Sequence, residues 1–173
     1  MKGEILLFKI GDLIVYGQTG VCEVTDICKK KLTSTDKERE YYKLRPLYRQ
    51  NSVIFTPVDN EKVFMRNIIS KEDADRLIDL IPEIKASPFH SNIQRDVTEH
   101  YEKMLQSHSC RSLIELTMSI YQKKREAVEK KRKIGSVDER FMKRAEDLLF
   151  GELAAALKIE PEGVQSYISS RIK

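Results

Sequence analysis

The best candidate for chemistry in this sequence is a run of cations. Between Gln122 and Lys133, seven basic residues stand against two glutamates, a net charge of +5 over twelve positions. The helical apolar pattern before this run fades after Tyr121. A helix end of this kind either complements the helix dipole or contacts phosphate groups. The residues that the second interpretation selects are Lys130, Lys131, Arg132 and Lys133.

A second candidate follows directly, where Ser136-Val137-Asp138-Glu139 has the pattern of a helix capping box. The unpaired N–H groups after Ser136 can hold a phosphate oxygen, or Ser136 merely caps the helix. Three cations lie in the next turns: Arg140, Lys143 and Arg144. Together with the preceding run, they favour nucleic-acid binding at this corner.

Catalytic and metal-binding patterns are missing from the sequence. His90, His100 and His108 are not spaced one helical turn apart, and His108 with Cys110 supplies two ligands where zinc needs three or four. The seven glycines form no phosphate-binding loop, and no serine lies in a nucleophile elbow. We therefore expect no enzyme activity, no metal and no cofactor.

Composition limits the class of protein. The 173 residues are 40% apolar and 34% charged, which is enough for a core beneath a strongly ionic surface. The net charge of +4 excludes a polybasic coat. No apolar run approaches the ~20 residues of a membrane span. Three cysteines without a CxxC pair indicate reduced thiols. We expect a cytoplasmic protein without a membrane partner, and favour a monomer.

Two halves of different composition must position these residues. Residues 1–69 contain no alanine, and Val, Ile and Thr fill 18 of the 69 positions. Residues 70–173 contain all seven alanines, and the same three types fill 16 of 104 positions. Because alanine favours helices and β-branched residues favour strands, the sequence predicts an α+β protein. A small Tudor-like or SH3-like β barrel precedes a helical domain of about five helices.

Short apolar runs separated by turn signals predict the strands of the first half. They cover Leu13–Tyr16, Val21–Ile27, Tyr41–Arg45, Val53–Thr56 and Lys62–Met65, with a polar loop over Lys29–Glu40. The fourth run ends at Pro57. Its pattern favours an ordinary core strand, and an edge strand that pairs with a partner is the alternative.

Capping residues and apolar faces predict the helices of the second half. The starts are expected at Ser70, at Ser91 or Asn92, at Ser109, at Ser136 and at Pro161. Pro82 ends the first helix, and Ile134-Gly135 ends the third with a left-handed glycine. The inward faces of the second and third helices are expected to hold Ile93, Val97, Tyr101, Met104, Leu105, Leu113, Leu116, Ile120 and Tyr121.

The segment Phe8-Lys9-Ile10-Gly11-Asp12-Leu13-Ile14-Val15-Tyr16, followed by Gly20-Val21, resembles the opening of the CarD family of bacterial transcription regulators. Transcription-repair coupling factors share that module. Further similarity continues in order at Tyr41–Leu44, at the strand reaching Pro57 and at Ala145–Leu153.

The resemblance implies a Tudor-like RNA-polymerase-interacting domain over residues 1–69 and a helical DNA-binding domain over residues 70–173. Members of the family are not enzymes. They dock on the β subunit of RNA polymerase and contact promoter DNA at the upstream edge of the transcription bubble, where they stabilise the open complex. The alternative is an adaptor that docks on polymerase and recruits another protein without binding DNA.

The resemblance also assigns roles to residues. Well-studied members place a tryptophan wedge where this chain has Ile93, which is either a wedge at a base step or a core residue at the helix start. Arg95 matches the basic residue beside that wedge. The polymerase contacts map to Val53, Ile54, Phe55, Thr56 and Pro57. Phe55 replaces an arginine of the family, and the nearby Lys29, Lys30 and Lys31 are expected to supply the positive charge.

Overall fold

The structure is a computed structural model that describes residues 7–173. The chain divides into two compact units, with the boundary between Ile68 and Ile69. Within the described residues, five strands form an antiparallel sheet in the first unit and five α-helices form the second, which confirms the predicted α+β class.

The strands are β1 (Leu13–Tyr16), β2 (Gly20–Lys30), β3 (Arg39–Pro46), β4 (Ile54–Pro57) and β5 (Met65–Asn67), in the sheet order β4-β3-β2-β1-β5. Apolar residues of β1, β2 and β3, several of them β-branched or aromatic, build most of the core of this unit. Its fully buried members include Ile14, Val24, Tyr42 and Leu44. Each such side chain stabilises the fold by roughly 1.5–3 kcal/mol through the removal of apolar surface from water.

Two predicted boundaries in the sheet are wrong. The strand expected over Lys62–Met65 begins only at Met65, because the Asn60 side chain bonds the N–H of Lys62 at 2.8 Å and closes a turn there. The loop expected over Lys29–Glu40 is shorter, because β2 extends to Lys30 and β3 begins at Arg39, which pairs with Lys30.

The helices are α1 (Lys71–Asp79), α2 (Gln94–Gln106), α3 (Cys110–Glu129), α4 (Ser136–Leu157) and α5 (Val164–Arg171). Short 3-10 turns lie at Ile81–Glu83 and Pro161–Gly163. α4 packs against each of the other four helices. Its fully buried Phe141, Ala145 and Leu153 form the centre of the helical core. None of the helices in the described part of the chain is long and apolar enough to cross a membrane.

Two of the predicted N-caps are confirmed. The Ser70 Oγ accepts the N–H of Asp73 at 3.0 Å, and the Ser109 Oγ accepts the N–H of Ser112 at 3.1 Å. The cap expected at Ser91 or Asn92 is wrong, because α2 has Ile93 as its N-cap residue. Ser91 instead accepts the N–H of Ile93 at 3.1 Å.

The junction between α3 and α4 also differs from the prediction. α3 ends at Glu129, and the left-handed residue beyond it is Lys131, with φ 54°, not Gly135. The Gly135 carbonyl already accepts the N–H of Glu139 at 3.1 Å. Ser136 is therefore the first residue of the helix and not its cap, and the capping box is wrong.

Candidate functional site

The end of α3, the start of α4 and the segment that leads into α2 lie at one end of the helical unit. Asp138 ties the start of α4 to both other helices: its Oδ1 accepts the hydroxyl of Tyr101, in the second half of α2, at 2.5 Å and the Lys123 ammonium of α3 at 2.8 Å. Near the same end, the His90 Nε2 lies 3.5 Å from a Glu126 carboxylate oxygen. We call this end, with its residues Ile93, Arg95, 130–133, Ser136, Arg140 and Lys143, the basic end.

The Tyr101–Asp138–Lys123 network is buried. The Lys123 and Asp138 side chains are 11% and 9% exposed, and Tyr101 is 1% exposed. Burial, followed by the hydrogen bond to Asp138 and the charge of that carboxylate, raises the pKa of Tyr101 well above its usual range. The tyrosine therefore stays a neutral donor, and the network holds three helices in one arrangement.

Ile93 does not belong to the core. It is 58% exposed, in extended backbone just before the first turn of α2, so the interpretation as a core residue is wrong. Two residues on, the Arg95 guanidinium pairs with Glu99 at 2.8 Å while its side chain remains 83% exposed. Exposed pairs of this kind are worth less than about 1 kcal/mol, so a phosphate can compete for Arg95.

The turn between α3 and α4 displays the central cations. Lys130, Lys131, Arg132 and Lys133 are all exposed. The Arg132 N–H donates to the Ala127 carbonyl at 2.7 Å, which closes the turn on the last residues of α3. A tight turn without buried side chains projects these four charges into solvent.

The first turns of α4 divide the expected DNA contacts into two groups. Ser136, Arg140 and Lys143 are exposed. Arg144 is half-buried, pairs with Glu102 of α2 at 3.0 Å and lies 4.9 Å from the centre of the Phe141 ring. Arg144 thus contributes to the packing of α2 against α4.

The expected polymerase-binding residues gather at β4, which is the strand at one end of the sheet order. The half-buried Phe55 lies opposite Lys43 of β3, and the Lys30 ammonium sits 3.4 Å from the centre of the Phe55 ring. Such a cation–π contact at a partly exposed site is worth about 0.5–1 kcal/mol. β4 is therefore an edge strand of the sheet, and the prediction of a central core strand is wrong.

The other expected residues of this site lie at different depths. Val53 is 53% exposed and precedes the strand, whereas Thr56 is 2% exposed and accepts the Asn60 amide at 3.2 Å. Lys29 and Lys31 are exposed beside Lys30. The structure therefore brings together Phe55 and Lys30 and turns Thr56 into the core.

No group of three or more His, Cys, Asp and Glu side chains among residues 7–173 is arranged to hold a metal ion. Cys110 instead donates its thiol to Glu152 at 2.9 Å.

Comparison with known families identifies the first unit. Residues 8–69 match the family model described as the CarD-like/TRCF RID domain, so this segment is a CarD-like/TRCF RID module, as the sequence motifs predicted. Domains of this family are non-catalytic and are linked to interaction with the β subunit of RNA polymerase. A comparison with curated proteins found no match.

Proposed function

We propose that this protein is a cytoplasmic, nucleoid-associated transcription regulator. Its CarD-like module docks on the β subunit of RNA polymerase, and its helical unit contacts promoter DNA at the upstream edge of the bubble and stabilises the open complex. The observation that carries the DNA half is the exposed Ile93, three residues after the His90 that pairs with Glu126 in the last turns of α3, next to the cations of the α3–α4 turn. The proposal requires no catalysis and no cofactor.

The docking half rests on the match of residues 8–69 and on the position of β4 at an edge. An edge strand offers unpaired backbone groups to a strand of a partner. We assign Val53, Ile54, Phe55 and Pro57 to that contact, with Lys29, Lys30 and Lys31 beside it. Thr56 serves as a core anchor of the strand.

The DNA half combines phosphate contacts with an apolar wedge. Arg95, Arg140, Lys143 and the cations of residues 130–133 are exposed at the basic end and suit the phosphate backbone, and the N–H groups after Ser136 add to them. Ile93 lies among them and can insert at an unstacked base step. Arg144 supports the packing of α2 on α4 through Glu102.

The regulatory effect follows from contacts made only with melted DNA. Such contacts shift the equilibrium between closed and open complexes by their differential free energy. A difference of about 1.4 kcal/mol changes that equilibrium tenfold.

The test is the lifetime of open complexes on a ribosomal RNA promoter with the host polymerase. We expect the protein to lengthen that lifetime, and Arg95→Ala combined with Lys143→Ala to abolish the effect while polymerase binding is kept. Arg111→Ala is the matched control. Like Arg95, Arg111 forms an exposed ion pair with a glutamate four residues on, Glu115, at 3.2 Å, but it lies at the start of α3 and not at the basic end.

An unchanged lifetime with the double variant contradicts the DNA half of the proposal. Polymerase binding without any salt-dependent binding of DNA identifies the protein as an adaptor that recruits another protein. The open-complex stabiliser and the adaptor both predict that deletion of residues 8–69 abolishes polymerase binding.

A further inference from the structure

One face of α3 combines an exposed ring with cations. Tyr121, Lys124, Arg125 and Val128 follow one another at helical spacing and share this face, which we call the outer face of α3. Tyr121 is 55% exposed and Val128 is 65% exposed. The expectation that Tyr121 points into the core is therefore wrong: Ile120 occupies the core, and the next residue of a helix is turned by about 100° away from it.

The Tyr121 ring is available for a ligand. Among residues 7–173 it has neither a hydrogen bond nor a ring contact. A large aromatic side chain in this position contributes little to the fold, since over half of its surface remains in water. An aromatic face in water presents a stacking surface.

The charges around the ring are positive. Arg125 has no ion-pair partner in the described part of the chain, and the neighbouring Glu126 is occupied by His90 at 3.5 Å and Gln122 at 3.3 Å. The exposed Lys124 is near enough to the Glu146 carboxyl of α4 to lower its pKa, which burial and then the charge of Asp147 raise. The ring is thus flanked by two cations one turn away.

The outer face is continuous with the basic end. Lys130 follows Tyr121 by nine positions, which corresponds to about 13 Å along the helix axis. A polyanion that contacts the α3–α4 turn is therefore within reach of Arg125 and Tyr121.

We infer that the outer face of α3 binds single-stranded nucleic acid: a base stacks on the Tyr121 ring while neighbouring phosphates contact Lys124 and Arg125. The inference rests on the proposed function and extends it to the unpaired strand that an open complex supplies. A ring can stack only on a base that has left the duplex, and this contact tolerates any sequence. The two cations beside the ring favour a polyanion over an apolar protein groove.

Anisotropy of a labelled 12-nucleotide single strand, titrated with the full chain, tests the inference. Tyr121→Ala and Tyr121→Leu should each weaken single-strand binding about tenfold, and Tyr121→Phe should keep it within about twofold, because stacking needs the ring and not the hydroxyl. Binding of the matching duplex should stay within about twofold in all three. Tyr48→Ala, at an exposed tyrosine of the first unit, is the control.

Full single-strand affinity of Tyr121→Ala overturns the inference, as does full affinity of Tyr121→Leu, which points to simple apolar contact. If an acidic amphipathic peptide binds in a Tyr121-dependent way and the single strand does not, the face serves a protein partner and the inference is wrong. In both cases the proposed function still holds if Lys131→Asn weakens binding of the duplex. Absence of binding to single strand and duplex alike rejects the DNA half of the proposed function.

Discussion

Among single residues, Asp138 has the greatest effect on how the basic end is built. It is 7% exposed and accepts from two side chains of two other helices. Asp138→Ala leaves the Lys123 ammonium buried without its counter-charge, which typically costs 3–5 kcal/mol. We expect the free energy of unfolding in urea to fall by about that amount. Glu99→Ala, which removes the exposed partner of Arg95, should cost less than about 0.5 kcal/mol. Equal losses in both variants contradict the buried network.

His100 gives a residue-scale prediction that depends on pH. Its ring stacks on Phe89 with centroids 4.2 Å apart. Burial, and then the charges of Lys103 and Lys123, lower the pKa of His100 below its usual value of 6.5. The unfolded chain therefore takes up this proton first as the pH falls, and the folded state loses stability from about pH 6.5 downwards.

An NMR titration of the imidazole checks that sign. We expect a midpoint below 6.5 in the folded protein, and a midpoint that moves upwards in Lys103→Ala because one repelling charge is gone. A midpoint at or above 6.5 in the unaltered protein is incompatible with the arrangement around His100.

At the scale of the elements, two serines with similar surroundings in sequence have different roles. The Ser109 Oγ accepts the N–H of Ser112 and caps α3, whereas Ser136 is already helical and makes no capping bond. Ser109→Ala should therefore lower the free energy of unfolding by about 1 kcal/mol, and Ser136→Ala should change it by less than about 0.5 kcal/mol. Urea denaturation measures both, and a larger loss in Ser136→Ala contradicts the assigned start of α4.

The comparison of these serines explains which elements a sequence predicts well. Local signals sufficed for the starts of α1 and α3 and for the presence of strands β1 to β4, where side-chain caps and apolar runs act on neighbouring residues. The prediction of the α3–α4 junction failed because the helix begins one residue earlier than the box requires: Gly135 is the N-cap residue, and its carbonyl accepts the N–H of Glu139. β5 shifted because the Asn60 turn and the ladder to β1 set its register.

At the scale of the whole molecule, the distribution of charge along α4 makes a testable contrast. Lys131 and Lys158 are both exposed lysines with left-handed backbone, φ 54° and 57°, one before α4 and one after it. Asparagine tolerates that backbone, so Lys→Asn removes the charge with little strain. Lys131→Asn should weaken duplex binding and reduce the slope of log K against log salt by about 0.9. Lys158→Asn, about 33 Å away along the helix, should change neither.

Binding of one duplex over a range of salt concentrations measures both variants. Equal effects of the two substitutions indicate that the duplex does not bind at the basic end. If neither substitution changes binding of the duplex, Lys131 does not contact phosphate.

The sequence predicted the cations of this site and not their arrangement. Charge density marked residues 130–133, and the family motifs marked Arg95 and Ile93. That the segment leading into α2 lies at the end of α3 depends on tertiary contacts, such as that of His90 with Glu126, which no periodicity reveals. The pairing of Arg144, another expected DNA contact, with Glu102 of α2 has the same cause.

The buried network also bears on how this protein can evolve. Tyr101, Lys123 and Asp138 lie in three helices, yet each one leaves a desolvated polar group behind when another is lost. Replacement of all three by apolar residues of similar volume avoids that cost, whereas each single step towards it is destabilising. The three positions are therefore expected to be inherited together. A change from the polar network to an apolar contact between the helices passes through less stable single variants.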